Sequence, residues 1–402
     1  MDLEKKGIQN SLRAEMEKDA LEYISKVKAY GLEFNDPYLE NYIYSLIAKI
    51  APVTIVDGRP GNVNLLILED ATLNACIYPN GTLVINTGLL SALHSEDELV
   101  AILSHEIAHF ILDHSIDNVN KNKARQKRAE FWAALATGVA AVAEGVVASQ
   151  NKYYVPGAAT LGVAMMASTI ASNVIERLGM KYNQDQEYEA DNLAIQILTL
   201  LNYDKNALAT ALNRIEDQML IERSNAMYFA SYTHPALIER INKAGKAQKD
   251  ISQQFEKEVS FAVTSTARMK YEDRRFRQAL TYATQNIENQ VATAEDYIIK
   301  ANCILALRND MQSNTQVIEL INTAKSLDPT NINIYKAEIL ANLRLKDRNK
   351  ASDLLNSYHS KLEEMRSQLN EIKSGVFWET TNRFINVEQE WSNRMRIKLQ
   401  GM

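Results

Sequence analysis

The sequence predicts an α+β protein, mostly helical, with a small sheet near its start and a purely helical stretch at its end. Three observations carry this. Glycine (14) and proline (7) are scarce for 402 residues, well below the roughly 7 % and 5 % of average proteins, so few breakers interrupt helices. After residue 50 short strand-like runs flank a Pro-Asn-Gly turn, and after about residue 246 the texture changes to helical hairpins. The length points to two or three domains.

The elements follow in order. Leu12, Met16, Leu21, Ile24 and Val27 recur at helical spacing, and residues 38–50 form a second apolar-periodic run. Val63–Glu69 reads as a buried strand. Ala75–Tyr78 and Thr82–Thr87 flank Pro79-Asn80-Gly81, a hairpin signal through Asn-Gly. A short helix is predicted over 88–94, and Ser95-Glu96-Asp97-Glu98 is a capping box that starts another, running to about His114. A further helix is predicted over 187–201. In the last third, Ala279, Val317 and Ala351 lie 38 and 34 residues apart in comparable frames, with Ala324 and Pro329 at late-repeat positions. This resembles tetratricopeptide (TPR) repeats of 34 residues, and the other reading is an irregular helical bundle.

Composition excludes several functions. The net charge of −6, from 44 basic and 50 acidic residues, offers no footprint for nucleic acid. Two distant cysteines, Cys76 and Cys303, exclude a disulfide framework and a cysteine-rich zinc module. The charged N-terminus lacks the apolar core of a secretory signal, so the expectation is a cytoplasmic protein or a numbering that starts after a removed leader.

Three of only six histidines fall in His105-Glu106-Ile107-Ala108-His109-Phe110-Ile111-Leu112-Asp113-His114. Residues four apart on a helix project from one face, so His105 and His109 can bind one Zn²⁺. Glu106, beside the first of them, is placed to act as a base toward water. His114 fails as third ligand: on a continuous helix it points away from His105, and it reads as a polar residue near the helix C-terminus. The better candidates are Glu187 and Asp191, which share one face of a later helix. One carboxylate can bind zinc, and the other can accept from the free ring nitrogen of a ligand histidine. Glu189 is turned ~200° from Glu187 and is expected to play no part in metal binding.

These motifs together resemble peptidase family M48. His105-Glu106-x-x-His109 and Glu187-x-x-Ala190-Asp191 match its zinc signature. Asn74-Ala75 followed by Pro79-Asn80-Gly81 and Ile85-Asn86-Thr87-Gly88-Leu89-Leu90 resembles the stretch ahead of its zinc helix, and His234-Pro235 with Arg240-Ile241 resembles its later element. The resemblance covers roughly residues 40–245. It implies a zincin-like catalytic domain with one Zn²⁺ per chain held by His105, His109 and Glu187. Glu106 is then the general base and Asp191 supports a ligand. His234 lies near the metal and either stabilises the oxyanion or gates the site. Arg240 either pairs with a carboxylate or lies on a solvated face. Asn74, Ala75 and Cys76 form the edge along which an extended substrate adds as a strand; at Cys76 the family often has an aromatic residue. The implied domains are 1–50, a helical segment packing on the catalytic domain; 51–245, the metallopeptidase domain; and 246–402, the TPR-like helical domain.

Residues 131–150 and 155–175 are long enough to span a bilayer, but they are rich in alanine and small polar residues, and Glu144 interrupts the first. A tightly packed helical hairpin is the favoured reading, so membrane association is open but not favoured. The basic cluster Lys121–Arg128 reads as a solvated helix face. The expected function is a zinc-dependent endopeptidase in protein quality control, acting on protein or peptide substrates recruited by the helical repeats, in the cell envelope or periplasm of a bacterium if a leader has been removed. Two rivals are a repeat-based binding or chaperone protein with a latent zinc site and a membrane-associated prenyl-peptide protease.

Overall fold

The computed structural model describes residues 3–29, 31–51, 54–56, 59–61, 63–122, 180–222, 234, 237–248, 250–370 and 376–400. Two compact units emerge, Met1–Arg274 and Arg275–Met402.

The first unit opens with helices α1 (Leu3–Ala29) and α2 (Pro37–Ile50). Asp36 starts α2: its carboxylate accepts from the Tyr38 and Leu39 N–H groups, and Pro37 occupies the first turn, where its missing N–H costs nothing. Strands β1 (Thr54–Val56) and β2 (Arg59–Gly61) make a small antiparallel ribbon. The site-bearing sheet has β3 (Asn64–Leu68), β4 (Ala75–Ile77) and β5 (Thr82–Asn86) in the order β3-β5-β4. The expected hairpin forms between β4 and β5. Gly81 takes the left-handed conformation (φ +79°), and Asn80 Oδ1 accepts from the Thr82 N–H at 3.1 Å. β3 joins β5 in parallel, so β4 is an edge strand, with no other described strand on its outer side.

One face of this sheet carries Leu66, Cys76 and Val84, packed with Met16, Ala20, Tyr23 and Val27 of α1. Successive strand side chains point to opposite faces, and the Cys76 thiol goes into this core, where burial pushes its pKa well up. Only its backbone remains for a substrate strand.

Helix α3 (Thr87–Ala92) follows β5 directly. Gly88 donates to the Asp70 carbonyl at 2.8 Å, and a Cβ there would run into the backbone carbonyls of Ala71 and Thr72. Gly88→Ala is therefore expected to lower unfolding stability by about 1–3 kcal/mol, the usual penalty for overpacking. A denaturant titration with an unchanged midpoint would refute the close approach.

Helix α4 (Glu96–Ile111) carries the metal motif. Ser95 caps it by accepting from the Glu98 N–H, and the Glu98 carboxylate accepts from the His94 N–H. The helix stops short of the expected His114. Asp113 adopts φ +62°, and α5 (His114–Asn122) sets off anew. Arg13 of α1 grips the Asp113 carboxylate with both guanidinium nitrogens, which compensates the turn's left-handed backbone.

Helices α6 (Gln184–Leu200), α7 (Ala207–Glu222), α8 (Leu237–Ala244) and α9 (Gln253–Glu272) complete the unit. α9 packs on α3, where Ser91 Oγ donates to Thr266 Oγ1 at 2.9 Å, and the buried Glu256 contacts His94 Nδ1 at 2.5 Å. For this reason the unit ends at Arg274 and not at the change of sequence texture near residue 246.

Among the described residues the second unit holds six consecutive helices, each packed on the next: α10 (Phe276–Glu288), α11 (Ala294–Leu307), α12 (Met311–Leu327), α13 (Asn333–Arg344), α14 (Arg348–Asn370) and α15 (Val376–Gln400). Ala279, Val317, Ala324 and Ala351 are all fully buried. Small side chains at these points let neighbouring helices approach closely. The last pair, with helices of 23 and 25 residues, is longer than a 34-residue unit allows.

Among the described residues no helix is long and apolar enough to cross a membrane. The Ala-rich windows 131–150 and 155–175, and most of the Lys121–Arg128 cluster, lie outside the described residues.

Candidate metal centre

α4 and α6 pack against each other and bring two short local patterns to one point. His105 and His109 face the same way from α4, with their Nε2 atoms 3.0 Å apart. α6 is started by Asn183, whose side chain accepts from the Asp185 and Gln186 N–H groups while Gln186 caps in return. The acidic first turn thus has local caps of its own, and Glu187 turns inward to full burial. Its Oε1 lies 3.3 Å from His109 Nε2, and its Oε2 lies 3.6 Å from His105 Nε2. His234 joins them, with Nδ1 3.0 Å from Glu187 Oε1 and 3.4 Å from His105 Nε2. One ligand atom from each of these four residues lies within 4.8 Å of the others.

The donor chemistry of this cluster calls for a cation. Asp191 Oδ1 is 2.9 Å from His105 Nδ1, so the ring proton belongs there and Nε2 is a bare lone pair. That lone pair faces a second imidazole nitrogen at 3.0 Å and the acceptor-only Glu187 carboxylate. Acceptors so close repel one another unless positive charge is near; Arg240 Nη2, 3.3 Å from His105 Nε2, supplies part of it, and a metal ion among the four ligand atoms would supply the rest. Imidazole nitrogens with one carboxylate are a donor set that zinc favours.

Arg240 of α8 settles the alternatives left by its sequence position. It is 1 % exposed and pairs with both carboxylates: Nε and Nη2 reach Asp191 at 2.8 and 2.7 Å, and Nη1 reaches Glu187 at 2.5 Å. Burial alone would raise both carboxyl pKa values. The charges of His234 and Arg240 instead hold Glu187 well below the usual range. Hydrogen bonds from Arg240 and His105 bring Asp191 down to about 2 against the same burial cost. Burial keeps His109 well below the ordinary histidine range, so it is neutral and able to ligate.

Glu106 differs from these carboxylates. It is buried, burial raises its pKa, and its Oε2 has no hydrogen-bond partner among the described residues. His234 Nε2 is likewise unpartnered there, 3.6 Å from Glu106 Oε1. The two line a cleft together with the polar His105, Arg240 and Asn74 and the apolar Ala75, Leu89, Ile102, Leu212 and Ile215.

A profile described as Peptidase family M48 matches residues 37–248. The chain belongs to peptidase family M48. It is 26 % identical over 197 residues to the β-barrel assembly-enhancing protease of Escherichia coli, covering 49 % of this chain and 36 % of that one. It is 27 % identical over 202 residues to the mitochondrial metalloendopeptidase OMA1 of Schizosaccharomyces pombe, covering 50 % and 51 %. It is 27 % identical over 201 residues to the metalloprotease YcaL of Escherichia coli, covering 49 % and 63 %. The matched region is thus less than two thirds of each relative. M48 metalloproteases use zinc, and the His105, His109, Glu187 and His234 cluster could hold it.

Two residues near the M48 centre were not assigned to it from the sequence. Tyr182 stacks on the His109 ring, with centroids 3.7 Å apart and planes 12° from parallel. His114 returns to within 2.8 Å of His109 Nδ1. Tyr182 belongs to no motif. His114 could have been found only by anticipating the turn at Asp113.

Proposed function

We propose that this protein is a zinc-dependent endopeptidase of protein quality control, with His105, His109 and Glu187 as zinc ligands and Glu106 as general base. The observation that carries the reading is the unpartnered Glu106 carboxylate oxygen, buried beside three converging candidate ligands in a residue that lines the cleft. Bound zinc supplies Lewis-acid polarisation of the scissile carbonyl. The chain's own residues do the rest. The outer edge of β4, near Asn74 and Ala75, aligns an extended peptide by backbone hydrogen bonds. Glu106 takes the proton of the attacking water on a carboxylate oxygen and passes it to the leaving amine nitrogen. Arg240 and Asp191 hold Glu187 and His105 in place throughout. The apolar cleft walls favour an aliphatic or aromatic side chain next to the cleaved bond.

His234 supports a second reading, of a site held shut. Its Nδ1 sits among the ligand atoms, where a neutral imidazole serves as a fourth protein ligand and competes with substrate. Under gating, His234→Ala raises basal cleavage or self-cleavage. Under oxyanion stabilisation, the same change lowers turnover by about 10²-fold with zinc retained. Steady-state cleavage of casein by both proteins, with zinc content measured alongside, separates the two, and no change in either direction would make His234 structural. The helical unit from Arg275 onward would recruit misfolded or partner proteins, and the name of the E. coli relative favours the cell envelope as the place.

The deciding experiment is zinc analysis with casein cleavage before and after chelation. The proposal expects about one zinc per chain and chelator-sensitive cleavage. Stoichiometric zinc without cleavage, even in His234→Ala, would favour a binding protein with a latent centre.

A further inference from the structure

We propose that His114 is a positioning residue of the metal centre, and that a hydrogen-bond chain from Glu189 through His114 to His109 fixes the tautomer and ring plane of that ligand. The proposal rests on the reading of His109 as a zinc ligand. It departs from the expectation, drawn from helix phase, that Glu189 plays no part in metal binding and that His114 is only a polar residue near a helix end.

Proton bookkeeping carries the argument. His109 Nε2 faces His105 Nε2 and Glu187, so it is the nitrogen that must be bare to ligate. A neutral imidazole has one proton, which therefore sits on Nδ1. His114 Nδ1 lies 2.8 Å away and must accept it. A neutral His114 then carries its own proton on Nε2, and that atom points at Glu189 Oε2, 3.1 Å away. Each donor meets an acceptor, and the chain ends on a carboxylate. His105 receives the same service directly from Asp191. A ring nitrogen fixed in this way keeps the opposite nitrogen bare and aimed at the ion.

The fold is arranged to deliver His114. The left-handed Asp113 ends α4, Arg13 pins its carboxylate, and the chain doubles back so that His114 becomes 3 % exposed against His109. The Gln186 side chain donates to the His114 carbonyl at 3.4 Å, which ties the turn to the start of α6. Tyr182, stacked on the other side of His109, leaves that ring one plane to occupy.

The test uses the full chain with His114→Phe, which keeps a ring but has no nitrogen, and His114→Asn, whose Oδ1 falls near the position of Nδ1 and can accept. Zinc affinity is read by competition with a chromophoric chelator, and the visible spectrum of the Co²⁺-loaded protein reports ligand geometry. His114→Phe is expected to weaken zinc by about 10–100-fold and shift the cobalt bands, while His114→Asn recovers to within about threefold of the parent. Parent affinity in His114→Phe would overturn the proposal. So would His114→Asn binding as weakly as His114→Phe, since shape and not the hydrogen bond would then be at stake. If His114→Phe does not fold, Glu189→Leu tests the far end of the chain: a smaller loss of affinity is expected, and parent affinity with parent cobalt bands refutes the relay. Failure of the metal reading itself looks different, because the parent protein would then bind no zinc and His105→Ala would change nothing.

Discussion

Glu106→Gln should lower peptide cleavage by about 10²–10⁴-fold, the usual worth of a general base, while zinc content stays at the parent level. Gln has the same shape and fits the same buried space, so the packing of α4 is preserved. It loses the ability to take a proton from water. Glu106 neighbours the cluster without being one of its four residues, so metal binding has no reason to fall. Neutralising a carboxylate whose pKa is already raised by burial and by Glu187 also removes a repulsion. The folded protein should therefore melt no lower than the parent. A variant that cleaves at more than a third of the parent rate would remove Glu106 from the mechanism.

Arg240→Met should be the most destabilising single change in the first unit. Its guanidinium is the shared counter-charge of two carboxylates that are 0 % and 5 % exposed. Met fills much of the space but leaves Glu187 and Asp191 buried without their cation. Breaking a buried pair in this way costs about 3–5 kcal/mol. For a unit of this size that corresponds to a fall of roughly 6–20 °C in the melting temperature of the chelated protein. Zinc should recover part of the loss, because it replaces the charge at Glu187 and not at Asp191. A chelated variant melting within about 2 °C of the parent would show that the pair is not held by Arg240.

The readable parts of the fold and site are those set by local spacing. Four residues on a helix return to one face, so His105 and His109 were legible as a pair, and Ser95 with Glu98 announced where that helix begins. Asn80-Gly81 announced the hairpin because glycine reaches positive φ at no steric cost. Glu187 and Asp191 were legible as two carboxylates on one face. Their assignment as ligand and support came from the resemblance, since spacing treats them alike. Small residues at intervals near 34 pointed to helical hairpins, and six consecutive helices are described there.

The rest was decided in three dimensions. The parallel pairing of β3 with β5 joins strands separated in the chain by β4 and its turn, so no single local signal encodes it. Cys76 points into the core because the register of β4 on β5 selects which face it takes. Arg240 has the helical phase of an ordinary charged residue, and only the packing of α8 on α6 turns it onto two buried carboxylates. The helix through His109 looked continuous, and on a continuous helix His114 points away. One residue at positive φ, Asp113, reverses that. Aspartate is no strong signal for this conformation, and the ion pair that compensates it comes from Arg13, a hundred residues earlier. The sequence alone therefore determined which histidines converge from a single helix on the proposed metal site. The tertiary structure decided which residues meet those ligands from behind, because such contacts depend on where separate segments pack and leave no periodic trace in the chain.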